Sequence, residues 1–164
     1  MFKRLIPIGL FLMLTATTAA AQTTIFFVRH AERADGGAGG MSDDPSLSPA
    51  GRARAESLAA MLKDTKLTAV FSTEFKRTQE TAAPTATAQH LTVTTVKADQ
   101  TAALVAKLKA AKGAMLVVGH SNTVPEVMTA LGVKPAVTIG DTEFDNLFIV
   151  TTGAKPSVVR LRYK

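Results

Sequence analysis

Two apolar runs in this sequence each end in side chains that could do chemistry together. Arg29 and His30 follow the run Thr24–Val28, and His120 follows the run Ala114–Val118 after a single glycine. Both runs are typical of strands buried on both faces of a parallel sheet. Because ligands of such sheets bind at the carboxyl ends of the strands, we expect these three side chains to converge at one edge.

Two further strands are expected to bring charged residues to the same edge. Leu67–Phe71 precedes Glu74 and Arg77, and Leu91–Val96 precedes Asp99. If all four strands are parallel, their carboxyl ends share one rim. The rim would then hold two arginines, two histidines and at least one acid.

Such a set of side chains indicates a site for phosphate. Guanidinium groups match phosphate oxygens in pairs, and helices that begin after Thr73 and Ser121 would add backbone N–H donors. The chain contains no cysteine, so a covalent mechanism needs another nucleophile. Neutral histidine can attack phosphorus, and neighbouring arginines lower its pKa and help to keep it neutral.

Four sequence blocks carry a resemblance to a known family. They read VRHAE, LSPAGRARAESLA, VFSTEFKRTQETA and VVGHSN, in this order, between Ile25 and Ala130. Together they resemble the histidine phosphatase superfamily, which includes the cofactor-dependent phosphoglycerate mutases. The resemblance implies that His30 is the phosphorylated nucleophile and that Arg29 and Arg77 hold the phosphoryl oxygens. It also implies that His120 donates to the transferring group.

The sequence offers two candidates for the general acid that would protonate the leaving group. The family usually carries a carboxylate about twenty residues after the second arginine, and Asp99 stands 22 residues after Arg77. Asp99 also suits the N-cap of a helix, and Glu74 is a second candidate for the acid. The other main branch of the superfamily has an aspartate directly after the second histidine. Ser121 stands there instead, where it either lines the pocket or caps the next helix, so the acid-phosphatase branch is disfavoured.

The remaining pattern predicts an α/β protein, a three-layer α/β/α sandwich with a mainly parallel sheet. An acidic turn, 141–145, precedes two C-terminal strands; we interpret it as solvated, with a position facing the pocket as the alternative. Helices are predicted from Pro49 to about Asp64, from Ser72-Thr73 through Thr81 with an interruption at Pro84, over Asp99–Lys112, and over about Val124–Leu131. The strands predicted at the C-terminus are Asn146–Thr151 and Ser157–Arg162, at least one of them antiparallel.

The first 21 residues are typical of a signal peptide. Lys3 and Arg4 precede the apolar stretch Leu5–Leu14, and three alanines precede Gln22. The apolar stretch is short for a membrane span, although an uncleaved anchor is the alternative. We therefore expect a single domain over residues 22–164, exported to the periplasm or secreted, with no membrane attachment after cleavage.

The charge composition indicates which classes of binding partner suit this protein. Of 19 basic residues two lie in the signal segment, and the rest exceed the 13 acidic residues by four without forming a basic run. This pattern does not favour nucleic acid, and it suits a small phosphorylated substrate. No cofactor is expected and no metal, because Arg29 and Arg77 would repel a cation near the histidines. The oligomeric state cannot be read from the sequence.

Several functions fit these residues. An exported phosphomonoesterase that works through phosphohistidine accounts for most of them. A phosphoglycerate-mutase-type phosphotransferase is less favoured, because the chain of 164 residues is short and lacks the family's long insertions. A non-catalytic phosphate-binding module and a phosphatase of phosphohistidine proteins remain as alternatives.

Overall fold

One six-stranded sheet organises the molecule. A computed structural model describes residues 22–36 and 44–164, and the predicted signal peptide lies outside these residues. The strands are β1 (Thr24–Arg29), β2 (Leu67–Ser72), β3 (Val93–Thr95), β4 (Ala114–Gly119), β5 (Asn146–Thr151) and β6 (Ser157–Arg162). The helices are α1 (Pro49–Leu62), α2 (Lys76–Ala88), α3 (Thr101–Ala110) and α4 (Thr123–Ala130).

The strand order is β3-β2-β4-β1-β5-β6. The first four strands in this order are parallel, β5 is antiparallel to β1, and β6 is antiparallel to β5. The predicted mainly parallel sheet and its antiparallel C-terminal addition are therefore confirmed. Pairing with β5 places the loop that precedes β5 at the same edge as the end of β1, because the two strands run in opposite directions.

Helices cover both faces of the sheet. Leu58 and Leu62 of α1 pack with Ala82 of α2 against one face, in a core that includes Phe26 and Val28 of β1. The other core holds Ile25 and Phe27 with residues of α3 and α4, among them Leu108 and Met128. Because both faces of β1 are buried, its sequence is a continuous apolar run, and the predicted α/β/α sandwich is confirmed.

The start of α2 differs from the prediction. Helix α2 begins at Lys76, not directly after Thr73, and Asp44 accepts its first N–H at 2.7 Å. Thr73 does not cap the helix, because its hydroxyl contacts Thr78 and His120. Pro84 lies inside α2 without ending it.

Other helix and strand boundaries differ from the predicted ones by a few residues. Helix α1 begins at the predicted Pro49, with Ser48 accepting the Gly51 N–H at 3.0 Å, and it ends at Leu62. Strand β3 has three residues instead of the six predicted. In the part of the chain that the structure describes, no helix is long and apolar enough to cross a membrane.

Candidate active site

The register of β1 and β4 brings two histidines side by side. Arg29 pairs with Gly119, so His30 and His120 are the first residues beyond equivalent strand ends. The His30 N–H donates to the Gly119 carbonyl at 2.9 Å. The two rings lie 5.3 Å apart between centroids, and the residues are only 4% and 2% exposed.

Backbone contacts determine which nitrogen of His30 can react. Its Nδ1 lies 2.8 Å from the Ala31 carbonyl oxygen, which can only accept a hydrogen bond. Nδ1 therefore carries the proton and Nε2 keeps its lone pair. The Ala31 N–H donates to the Thr81 hydroxyl at 2.9 Å, so helix α2 holds the segment that orients the ring.

Burial keeps both imidazoles neutral. It lowers the pKa of His30 to about 4; the Ala31 contact opposes this, and the positive charges of Arg29, Arg77 and Arg33 add to it. Burial is also the main reason that the pKa of His120 is lowered to about 3, and the neighbouring His30, Arg77 and Arg29 lower it further. At neutral pH the pair carries no charge, so the lone pair of His30 Nε2 is available without prior loss of a proton.

His120 is oriented by hydroxyl groups. Its Nε2 lies 3.0 Å from the Thr73 hydroxyl, which in turn lies 2.8 Å from the Thr78 hydroxyl. Within the described residues its Nδ1 is buried and has no hydrogen-bond partner. A buried polar atom without a partner is costly, and an oxygen of a bound anion would satisfy this one.

Arg29 joins the end of β1 to the loop before β5. Its Nη1 donates to the carbonyls of Gly140 and Asp141 at 2.9 and 2.8 Å, and its guanidinium carbon lies 4.2 Å from the centre of the Phe144 ring. These contacts fix the plane of the guanidinium beside His30. An arginine held in this way can meet an anion without losing further side-chain freedom.

Arg77 supplies the second guanidinium from the first turn of α2. Its side chain is fully buried, and its guanidinium carbon lies 4.2 Å from the centre of the Phe75 ring. Asp44 lies 3.8 Å from its Nη1. The Phe75 ring also meets His120 edge-on, at 5.2 Å between centroids, so one ring supports both groups.

These groups line one pocket of about 350 Å³. Of the residues predicted from the sequence, the structure brings five into it. The lining consists of Arg29, His30, Arg33, Gly36, Arg77, His120, Ser121, Asp141, Thr142 and Phe144. Ser121 lines the pocket, and the N-cap position of α4 falls to Asn122. A pocket of this size with three guanidiniums suits a phosphoryl group and part of the molecule that carries it.

The structure does not bring Asp99 or Glu74 into the pocket. Asp99 is exposed in the turn after β3, and β2 and β4 separate β3 from β1, a distance of about 14 Å at ordinary strand spacing. It is not the N-cap either, since that position in α3 is Gln100. Glu74 is exposed and accepts the Ala98 N–H at 2.8 Å. The expectation that every strand end meets at one point neglected the width of the sheet.

Three side chains that line the pocket were not predicted from the sequence. Arg33 directly follows the RHAE segment, and nothing in the local sequence distinguishes it from a solvent-exposed arginine. Thr142 and Phe144 reach the pocket through the pairing of β5 with β1, which no local pattern encodes. Asp141 lines the pocket, whereas Glu143 and Asp145 form ion pairs with Arg160 and Arg162, so the acidic turn divides between the two interpretations.

Helix α1 packs against the segment that follows His30. A Cβ on Gly51 would lie 2.2 Å from the Glu32 carbonyl oxygen, so the helix packs directly on the backbone after His30. The Glu32 carboxylate accepts hydrogen bonds from two nitrogens of Arg54 at 2.7 to 3.0 Å.

No group of three His, Cys, Asp or Glu residues that could hold a metal ion occurs in the described residues. The histidines of the pocket face arginines, which are poor neighbours for a cation.

Comparison with known proteins gives one family match. Residues 25–98 match the family model of the histidine phosphatase superfamily, branch 1. None of the curated proteins compared with the chain matches it significantly.

Solved structures share the fold at low sequence identity. A mycobacterial glucosyl-3-phosphoglycerate phosphatase in complex with VO3 has a TM-score of 0.66 at 15% identity, over 84% of this chain and 96% of that one. The protein histidine phosphatase SixA in complex with tungstate has a TM-score of 0.64 at 18% identity, over 85% and 96%. A structure described as mycobacterial hydrolase 1 has a TM-score of 0.68 at 14% identity, over 85% and 97%.

Proposed function

From the match of residues 25–98 to the histidine phosphatase superfamily, branch 1, we propose that this chain is a member of that superfamily and hydrolyses phosphomonoesters through a phosphohistidine on His30. The observation that carries the proposal is the state of His30. Its Nδ1 proton is committed to the Ala31 carbonyl, its pKa is lowered to about 4, and it shares one pocket with Arg29, Arg77 and His120. A neutral nucleophile beside fixed positive charge is what transfer of a phosphoryl dianion requires.

Each step follows from these contacts. The lone pair of His30 Nε2 attacks phosphorus as the bond to the leaving oxygen breaks, and the imidazole becomes positively charged. The Ala31 carbonyl, 2.8 Å from Nδ1, stabilises that charge. Water then attacks the phosphohistidine, and the electron pair of the N–P bond returns to Nε2 as inorganic phosphate forms.

The other pocket residues stabilise the transferring group. Arg29 and Arg77 neutralise charge on the equatorial oxygens, and each guanidinium is already oriented by an aromatic ring at 4.2 Å. His120 Nδ1, which is buried without a partner among the described residues, donates to one of these oxygens. The Ser121 hydroxyl at the pocket wall is a further donor to the substrate.

A turnover assay tests the proposal. The purified protein should release phosphate from a nitrophenyl phosphate, and His30→Ala should abolish the reaction. His90→Ala changes an exposed histidine outside the pocket and should leave the rate unchanged. Phosphate binding without turnover in the wild-type protein would favour a non-catalytic module. A bisphosphoglycerate-primed exchange of phosphoryl groups between glycerate positions would favour a mutase.

Export is a separate part of the proposal. It rests on the charged, apolar and small-residue segments of positions 1–21. Expression of the full chain in a Gram-negative host, followed by fractionation and N-terminal sequencing, tests it. Recovery from the periplasm with an N-terminus near Gln22 supports export, and recovery of an unprocessed chain from the cytosol opposes it.

A further inference from the structure

Hydrolysis of an alkyl phosphate needs a proton for the leaving oxygen, and the pocket floor does not supply one. His30 is the nucleophile, and its only proton is held by Ala31. In an in-line displacement the leaving oxygen lies opposite the attacking nitrogen. Because His30 is only 4% exposed and lies at the base of the pocket, the leaving oxygen points toward the mouth.

The mouth contains one carboxylate among the described lining residues. Exposed or half-buried lining residues include Ser121, Asp141 and Thr142. The two hydroxyl groups can form hydrogen bonds, but a hydroxyl is too weak an acid to give up its proton at neutral pH. Asp141 is therefore the lining residue with the chemistry of a proton donor.

Nearby carboxylates are committed to other partners. Asp44 accepts the first N–H of α2 and lies 3.8 Å from Arg77. Asp35 pairs with Arg33 at 2.5 Å. In contrast, the Asp141 carboxylate interacts with the nearby charge of Arg29, but among the described residues no hydrogen bond or salt bridge holds it, so this pocket-lining group can turn toward a substrate.

The backbone of Asp141 is nevertheless fixed to the catalytic strand. Arg29 Nη1 donates to the Asp141 carbonyl at 2.8 Å and to the Gly140 carbonyl at 2.9 Å. On the other side of the loop, the Phe144 ring packs on the same guanidinium and lies 6.0 Å from the His30 ring. The anchored backbone therefore keeps Asp141 in the lining of the pocket that contains His30, and a fixed position of this kind is what acid catalysis needs.

We propose that Asp141, and not Asp99 or Glu74, is the general acid and base of the reaction, an inference that rests on the function proposed above. As His30 attacks, the Asp141 carboxyl gives its proton to the leaving oxygen, which departs as the alcohol. The resulting carboxylate then takes a proton from the water that attacks phosphohistidine. This restores the carboxyl and releases hydrogen phosphate.

The test compares leaving groups. Asp141→Asn keeps the side-chain volume and removes the transferable proton. Its kcat/KM for glycerol phosphate should fall by about a hundredfold or more, the ordinary contribution of acid catalysis. The value for a nitrophenyl phosphate should fall far less, because nitrophenolate departs without protonation. Retained activity on the aryl substrate also shows that the variant is folded.

Two further variants make the outcome decisive. Glu126→Gln removes the same charge from an exposed position of α4 outside the pocket and should leave both substrates unaffected. Asp99→Asn should show no dependence on the leaving group. Equal losses on both substrates in Asp141→Asn, or a selective alkyl loss in Asp99→Asn, would overturn the assignment. Absence of turnover in the wild-type protein would instead defeat the proposed function itself.

Discussion

His30 stays uncharged because burial and three neighbouring arginines all oppose its protonation. The ring is removed from water, and each neighbouring guanidinium opposes a second positive charge. His120 is subject to the same conditions and also meets His30. In the proposed mechanism, this neutral state lets His30 attack phosphorus without a separate base.

This arrangement predicts how stability depends on pH. The pKa of each histidine is about 6.5 in the unfolded chain and is lowered to about 4 in folded His30 and about 3 in folded His120. As pH falls below 6.5, the unfolded state therefore takes up protons that the folded state does not. Each histidine should lower the free energy of unfolding by about 1.4 kcal/mol per pH unit in this window.

Chemical denaturation at a series of pH values measures this effect. His120→Asn removes one of the two contributions, so its free energy of unfolding should decline less steeply between pH 6.5 and pH 4 than that of the wild-type protein. Only the slope bears on the prediction, because loss of the Thr73 contact lowers stability at every pH. Equal slopes would show that His120 is not held neutral by the fold.

At the scale of the elements, the close packing of α1 on the segment after β1 positions His30. Gly51 allows the helix backbone to lie against Glu32, and the Arg54–Glu32 pair joins the same two segments. Thr81 of α2 holds the neighbouring Ala31 N–H. Two helices thus fix the three residues that follow Arg29.

Gly51→Ala tests this packing. In an exposed helix interior the change would add up to about 1 kcal/mol of stability. Here the new Cβ would lie 2.2 Å from a backbone oxygen, so we expect a loss of about 1–3 kcal/mol and reduced turnover. Thermal denaturation measures the change, with Ala60→Gly on the exposed side of α1 as the reference for helix propensity. A gain in stability would contradict the contact.

The sequence predicted the elements more completely than their lateral arrangement. Two apolar runs, ending in Arg29-His30 and in Gly119-His120, define both strands and the polar residues at their ends from local sequence alone. The position of Asp141 depends on antiparallel pairing between β1 and β5, which are far apart in the chain. The distance of Asp99 from His30 depends on strand order, and a one-dimensional pattern contains no such information.

At the scale of the whole molecule, the proposed phosphate site exists only in the folded state, because residues from distant parts of the chain form it. Inorganic phosphate should therefore raise the melting temperature, since a ligand at a hundred times its Kd adds about 2.7 kcal/mol to the free energy of unfolding. Arg77→Ala removes a fully buried guanidinium of the pocket and should abolish the shift. Chloride at matched ionic strength is the control. A phosphate shift that persists in Arg77→Ala would place the binding site elsewhere.

Formation of a covalent phosphoenzyme tests the central claim most directly. The protein should be mixed with substrate, quenched rapidly under alkaline conditions that preserve phosphohistidine, digested, and analysed by mass spectrometry. We predict one acid-labile phosphoryl group, on His30, at a level that rises and decays with turnover and is absent from His30→Ala. Full turnover with no phosphoryl group on His30, or with the group on another residue, would contradict the mechanism.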